Sequence, residues 1–78
     1  MGYSRPRPKH LAAKLKKIRY DLNLSQPQLA KRLGVKRYTD VSKFERDTNE
    51  PPLVVLLAYS RLSGVPVENL IDDQLDLP

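Results

Sequence analysis

The sequence has no cysteine and a single histidine, His10, among its 78 residues. The lack of cysteine excludes disulfide bonds, thiol nucleophiles and cysteine-based zinc sites. The neighbours of His10 are Lys9, Leu11 and Ala12, which do not supply the clustered ligands that zinc requires. We therefore expect no metal site and interpret His10 as a solvated residue in the first turn of a helix.

Long apolar runs are also absent. No stretch approaches the roughly 20 apolar residues that span a bilayer, and the first ten residues lack the apolar run of a secretory signal. The sequence also has no phosphate loop, no paired nucleophile and base, and no cluster of metal ligands. These absences predict a soluble cytoplasmic protein that is not an enzyme, with no cofactor, no membrane partner and no evident small-molecule substrate.

Acidic residues are scarce in the first half of the chain. Through Arg37, eleven lysines and arginines stand against one acid, Asp21, whereas from Tyr38 onward three stand against eight. The two parts therefore carry net charges of +10 and −5. The basic part is suited to a polyanion such as nucleic acid, although a basic helix is as often only a solvated face. Anionic lipid fits less well, because the basic helix lacks a large aromatic face.

The chain is 40% hydrophobic, which is enough for one small core. Neither a repeat nor a strand-like alternation is visible, and the apolar periodicity predicts a compact all-α bundle of five short helices. We expect residues 1–8, with Arg5 and Arg7, to form a flexible basic arm. Residues 9–71 should form the helical domain, and residues 72–78 a short acidic tail.

Helix 1 is predicted from Lys9 onward, because its apolar residues recur at spacings of four, three and four. Its lysines should point away from that apolar face, and Asn23 can end the helix in a left-handed conformation. The apolar positions are Leu11, Leu15, Ile18 and Leu22, and the outward lysines are Lys14, Lys16 and Lys17.

Helix 2 has the clearest local signals. Ser25 is a good N-cap, and Gln28 completes a capping box three residues later. Pro27 falls in the first turn, where its missing N–H has no intrahelical partner to lose. Leu29, Ala30 and Leu33 supply the buried face, and Gly34 can take the positive φ that ends the helix.

The last three helices are predicted from shorter patterns. Helix 3 is expected at about residues 40 to 47, with Thr39 or, preferably, Asp40 as its cap. Helix 4 should begin with Pro51 and Pro52 in its first turn and end at Gly64. Its sequence, LVVLLAYSRLS, is apolar nearly all round, which predicts a central helix covered on most sides. Helix 5, VPVENLI, should pack through Val67, Leu70 and Ile71.

Helices 2 and 3 together are typical of a helix-turn-helix, because a glycine-containing turn joins them and helix 3 has only a thin apolar face. In that motif the second helix enters the major groove of DNA and the first lies across the backbone. The unpaired N–H groups at the start of helix 2 can receive a phosphate, and Gln26 can add its amide. Alternatively, Ser25 and Gln28 only cap the helix.

The segments LSQPQLAKRLGVKR, VSKFER and PPLVVLLAYSRLSGVPVENLI resemble, in this order, the Xre family of phage repressor and Cro-type helix-turn-helix proteins. The resemblance covers about residues 11 to 71. It implies a lambda-repressor-like fold of five helices and a transcriptional regulator that binds double-stranded operator DNA at the nucleoid. Many members act as dimers, so a homodimer is one expected assembly.

The resemblance also implies a structural ion pair between Arg19 and Glu45, which would orient helix 3 relative to helix 1. Two positions depart from the family pattern. The segment VKRYTD puts six residues between Gly34 and Val41 where the family usually has five, and Asp47 stands where the family often has glycine. The register of residues 36 to 40 and the end of helix 3 are therefore open.

Side chains at the start of helix 3 are the first candidates to contact base edges. Side chains farther along its outward face are further candidates. Arginine and lysine suit the guanine acceptors, a threonine methyl suits thymine, and aspartate can accept from cytosine. Arg37 is the first choice for a base contact and Lys43 the second, although either can contact only phosphate. Lys31 adds backbone attraction, and the arm can reach DNA or be inert. The candidate DNA-binding residues are Gln26, Gln28, Lys36, Arg37, Tyr38, Thr39, Asp40, Ser42, Lys43 and Arg46.

An alternative hypothesis is a protein-interaction module, antitoxin-like or an adaptor subunit, that keeps the fold without reading DNA. Its basis is the acidic second half with leucines near the tail that can cover a partner. These apolar residues can equally pack on the core or form a homodimer seam. They are Leu70, Ile71, Leu75 and Leu77.

Overall fold

The computed structural model describes residues 7–78, so most of the predicted arm, including Arg5, lies outside the described residues. Five α-helices and no strand are present in this part of the chain, which confirms the all-α prediction. The helices are α1 (Leu11–Asp21), α2 (Gln26–Leu33), α3 (Tyr38–Glu45), α4 (Leu53–Ser63) and α5 (Val67–Ile71).

The core takes one fully buried side chain from each helix. These residues are Leu15, Leu29, Val41, Tyr59 and Leu70, each with 0% exposure. In the packing, α3 contacts α1 and α2, α4 contacts α2, and α5 closes the bundle against α1 and α4. Burial of each aliphatic side chain contributes about 1.5 to 3 kcal/mol, so helices too short to persist alone are held by this shared core.

Four helices end with one residue in the left-handed conformation, and α4 does so at Gly64, as predicted, with φ of 78°. The other three helices share one hydrogen-bond pattern. Asn23 and Gly34 have φ of 58° and 77°, as predicted, and Asp47 has φ of 60°. After each of them the chain makes a hydrogen bond back to the helix that satisfies a terminal carbonyl. The bonds run from Leu24 N to Arg19 O, from Val35 N to Ala30 O and from Thr48 N to Lys43 O, at 3.2, 2.9 and 2.9 Å. Asp47 therefore adopts the conformation that glycine would supply.

Helix α3 begins two residues earlier than predicted. Arg37 is its N-cap residue, in extended conformation and without a side-chain capping bond. Asp40 is not the cap, because its own N–H donates to the Arg37 carbonyl at 3.1 Å and places it in the first turn. There its carboxylate still interacts favourably with the positive end of the helix dipole. The connection from α2 is thus four residues long, Gly34 to Arg37.

Helix α4 differs from the prediction in two respects. Pro52 is its N-cap residue, so both prolines precede the helix rather than lying in its first turn. The helix is also not covered on most sides: Leu53 and Val54 are 76% and 74% exposed, and Leu57 is 39% exposed. Helix α4 packs against α2 and α5 and buries Leu56 and Tyr59, whereas Leu53, Val54 and Leu57 remain outside these contacts.

The acidic tail is part of the fold, and Lys14 holds it. Lys14 was predicted to point outward, but it is only 7% exposed. Its ammonium group donates to the carbonyl oxygens of Asn69, Asp72 and Leu75 at 2.7, 3.1 and 2.6 Å. A cation is favourable there, because the carbonyls at the end of α5 have no helical partners. Ile71, predicted to pack inward, is instead exposed at this end.

Asp73 connects the tail to the start of α1. Its carboxylate accepts hydrogen bonds from the backbone N–H groups of Lys9 and His10 at 2.9 and 3.1 Å. His10 is the N-cap residue of α1, exposed as predicted, and its own side chain makes no capping bond. The two backbone donors lower the pKa of Asp73 below its ordinary value, with smaller contributions from the positive charges of His10 and Lys14.

Acid should weaken this connection. Because the folded-state pKa of Asp73 is lowered, its contribution to stability is present above the ordinary aspartate pKa of about 3.9 and is lost as pH falls through the lower folded-state pKa. We expect Asp73→Asn to melt at a lower temperature than the parent chain at neutral pH, with the difference shrinking as the pH falls toward about 2. Thermal melts across this range test it. Asp76→Asn is the control, and a constant difference for Asp73→Asn would contradict the assignment.

Candidate nucleic-acid interface

The start of α2 is closed by its capping box. Ser25 Oγ accepts from Gln28 N at 3.2 Å, and Gln28 Oε1 accepts from Ser25 N at 2.9 Å. Since Pro27 has no N–H, Gln26 carries the one first-turn N–H without a partner among residues 7–78. The sequence had suggested several unpaired groups for a phosphate, and the capping box leaves one. The Gln28 amide nitrogen is exposed and is not used by the box.

The side chain of Gln26 is directed toward α3. It is half-buried, and its Nε2 donates to Glu45 Oε1 at 3.3 Å. One of its amide hydrogens is therefore engaged within the fold and is not available to an anion. Gln26 instead ties the first turn of α2 to the last turn of α3, which fixes the two helices of the motif relative to each other.

The pair of Arg19 and Glu45 anchors α3 to the bundle. Arg19 Nε and Nη2 donate to the two carboxylate oxygens of Glu45 at 2.7 and 3.0 Å, a bidentate geometry. The side chains are only 12% and 3% exposed. Hydrogen bonding to Glu45 and its charge raise the pKa of Arg19 further, despite partial desolvation. Arg19 Nη1 also donates to the Leu24 carbonyl at 3.1 Å, so one guanidinium joins α1, the α1–α2 connection and α3.

Tyr59 of α4 closes the core beside this pair. It has 0% exposure, and its hydroxyl has no hydrogen-bond partner in the described part of the chain. Burial raises its pKa strongly, and the charge of Glu45 acts in the same direction while that of Arg19 opposes it. The hydroxyl therefore stays neutral. It takes no part in the ion pair, in which the charges of Arg19 and Glu45 neutralise each other.

The predicted reading residues form an exposed face on the turn and α3. The structure brings the polar side chains of this segment to one edge of the bundle, with Val41 and Phe44 buried beneath them. The exposed residues are Lys36, Arg37, Tyr38, Thr39 and Arg46, and the half-buried ones are Asp40, Ser42 and Lys43. Within residues 7–78, the side chains of Lys36, Arg37 and Lys43 make no hydrogen bond or ion pair. Their charges are therefore free to meet an external anion.

The end of α3 is held by two arginines. Arg46 Nε donates to the Ser42 carbonyl at 3.4 Å, so part of its guanidinium faces its own helix. Arg7 Nη1 donates to the Asp47 carbonyl at 2.6 Å and lies 3.3 Å from Asp47 Oδ1. Sequence reasoning missed this contact, because no local pattern links residues 40 positions apart. Arg7 thus neutralises the acid beside the reading face.

No group of histidine, aspartate or glutamate side chains within residues 7–78 is arranged to hold a metal ion. None of the helices in this range is both long and apolar enough to cross a bilayer.

Comparison with known proteins places this geometry in a family. A helix-turn-helix family model matches residues 15–70. No curated protein matches the chain significantly. The structure of the P22 c2 repressor in complex with a synthetic operator is similar, with a TM-score of 0.74 and 27% identity over 81% of this chain and 94% of that chain.

Two structures of SinR are also similar. In the complex of SinR with SinI the TM-score is 0.74 and the identity 26%, over 82% of this chain and 62% of that chain. For the N-terminal DNA-binding domain of SinR from Bacillus subtilis the TM-score is 0.70 and the identity 26%, over 78% of this chain and 88% of that chain. Because the family model matches well over half of the chain, the protein belongs to the Xre-type helix-turn-helix family.

Proposed function

We propose that this protein is a transcription regulator that occupies operator DNA with α3 in the major groove and the start of α2 against the backbone. The observation that carries the proposal is the exposed face of the turn and α3. Lys36, Arg37 and Lys43 have no internal partners there within residues 7–78, while Glu45 of α3 is held by Arg19. A rigid helix with a free polar side is what readout of base edges requires.

Arg37 is the proposed principal base contact. It is exposed at the N-cap position of α3, where a guanidinium can reach guanine O6 and N7 with two hydrogen bonds. Tyr38 and Thr39 occupy the first turn of α3 beside it. The threonine methyl suits a thymine methyl, and Asp40, no longer needed as a cap, can accept from cytosine N4.

Other residues are proposed to contact the phosphate backbone. Lys31 is exposed on α2, Lys36 is exposed in the turn, and Arg46 lies at the far end of α3. Lys43 is half-buried, so its reach toward a base is shorter than that of Arg37. Such contacts fix the register of the protein on DNA but carry no sequence information. Ser42, Gln28 and the free N–H of Gln26 complete the proposed contact set.

The partner is inferred to be double-stranded DNA, because the similar P22 c2 repressor structure contains a synthetic operator. Its place of action would be the nucleoid in the cytoplasm. The binding unit is proposed to include the tail as well as residues 9–71, since Lys14 and Asp73 tie the tail to α1. The alternative, an adaptor that does not read DNA, does not explain why the exposed cations of the turn and α3 lack internal partners in the described part of the chain.

Selection from a pool of random duplexes tests the proposal. We expect one sequence class to be enriched, with binding that weakens steeply between two salt concentrations. If about five phosphates are neutralised, the logarithm of the binding constant should fall with a slope of about −4 to −5 against the logarithm of salt concentration. The proposal fails if no sequence is enriched over bulk DNA at either salt concentration.

A further inference from the structure

The exposed side of α4 forms an apolar groove next to the end of α2. The groove has a volume of about 400 Å³ and is lined by Arg32, Val54, Leu57, Ala58, Arg61 and Leu62. Leu53, at the start of α4, extends the exposed apolar area. We call these residues the α4 groove. Apolar side chains this exposed on a short helix mark a contact surface rather than core, because burial would stabilise them further.

The charges around the α4 groove define the chemistry of its occupant. Arg32 and Arg61 are exposed at its rim, no acid lines it, and neither arginine forms an ion pair within residues 7–78. A symmetric contact between two α4 grooves would gather four guanidinium groups around one apolar centre, which like-charge repulsion disfavours. The groove instead fits an apolar segment flanked by carboxylates.

The same chain carries such a segment at α5 and the tail. Ile71 and Leu75 are 43% and 38% exposed. Lys14 draws the backbone around them together by binding the carbonyls of residues 69, 72 and 75. The exposed acids of this segment are Glu68, Asp72 and Asp76. We call Ile71, Leu75 and these three acids the α5 surface; a symmetric contact between two α5 surfaces would again gather like charges.

We propose that the α4 groove of one copy binds the α5 surface of a second copy, head to tail. Apolar residues meet apolar residues, and the two arginines meet the acids of the partner copy. Because the two surfaces differ, each added copy leaves one groove and one α5 surface free, so assembly is open-ended rather than a closed pair. Neither surface includes the proposed reading residues of α3, so the contact does not depend on DNA binding.

Two variants each remove one surface while respecting the fold. Val54→Glu places a carboxylate in the α4 groove, and an acid in the first turn of a helix is favourable. Ile71→Lys places a cation on the α5 surface, at the C-terminal end of α5 where a cation is favourable. Thermal melting by circular dichroism checks that both variants fold like the parent chain.

Sedimentation equilibrium without DNA then measures the mass from about 10 µM to about 1 mM, the range of a weak, transient contact. For the parent chain we expect an average mass that rises without stopping at the dimer. Each variant alone should stay monomeric, and an equimolar mixture should form dimers only, since one intact groove meets one intact α5 surface.

Three results would overturn the proposal. A parent chain that is monomeric throughout would leave the groove to a different acidic partner. A mass that stops at the dimer would indicate a symmetric contact. If either variant alone associates as the parent chain does, the contact uses another face.

Discussion

Replacing Glu45 by alanine is expected to lower the free energy of unfolding by about 3 to 5 kcal/mol, because the change leaves the Arg19 guanidinium without its carboxylate in a nearly closed site. The two side chains are only 12% and 3% exposed, so water cannot solvate the Arg19 guanidinium well enough to replace the lost carboxylate. In a domain of this size, such a loss is comparable with the entire stability, and the variant should be largely unfolded. Urea denaturation followed by circular dichroism measures the effect.

Two matched variants separate this effect from loss of charge alone. Asp21→Ala removes the carboxylate of the exposed pair with Lys17, whose side chains are 63% and 62% exposed, and should change stability by less than about 0.5 kcal/mol. The double variant Arg19→Met with Glu45→Leu removes both charges and should be more stable than Glu45→Ala alone. A loss below about 1 kcal/mol for Glu45→Ala would mean that the pair does not anchor α3.

Replacing Arg37 and Lys43 together by alanine is expected to weaken binding to the selected operator by about 30-fold or more. The base contact of Arg37 is worth about 1 to 3 kcal/mol, and loss of the Lys43 charge weakens binding further. Stability should hardly change, because neither side chain makes an internal hydrogen bond within residues 7–78. Fluorescence anisotropy with the selected duplex and with an unrelated duplex measures both affinity and specificity.

The control is Lys16→Ala with Lys17→Ala, which removes the same charge from the exposed side of α1. If the two double variants lose affinity equally, the affinity depends on net charge and not on contacts between α3 and the bases. Single variants then separate the two roles. Loss of a base contact relaxes the preferred sequence at one position, whereas loss of a phosphate contact weakens all sequences alike and lowers the salt slope by about one.

The features predicted correctly from sequence are those decided by neighbouring residues. The capping box of Ser25 and Gln28 spans four positions, and the left-handed ends at Asn23 and Gly34 depend on single residues. Arg19 and Glu45, 26 positions apart, were expected through resemblance to a family alone, because no local rule links them. Membership in the family now rests on the match over residues 15–70.

The features that were wrong depend on distant contacts. Asp40 is a residue type that often caps helices, yet α3 starts at Tyr38 and Asp40 lies in its first turn, above the buried Val41 and Phe44. Lysine is usually exposed to solvent, but Lys14 is buried because its ammonium group donates to carbonyls 55 to 61 positions away in the sequence. Helix α4 shows a different limit: its exposed apolar side has the same sequence pattern as a side that packs in the core.

The three carbonyls around Lys14, and the contact of the Asp73 carboxylate with the residues just before α1, also affect how the domain folds during synthesis at the ribosome. Helix α1 is made first, yet the carbonyls that bind its buried ammonium belong to residues 69–75. The carboxylate that accepts from the N–H groups of Lys9 and His10, just before the helix, belongs to the same segment. A nascent chain therefore cannot complete this domain until residues 69–75 have left the exit tunnel, so the last folding step of the domain waits for its C-terminal segment.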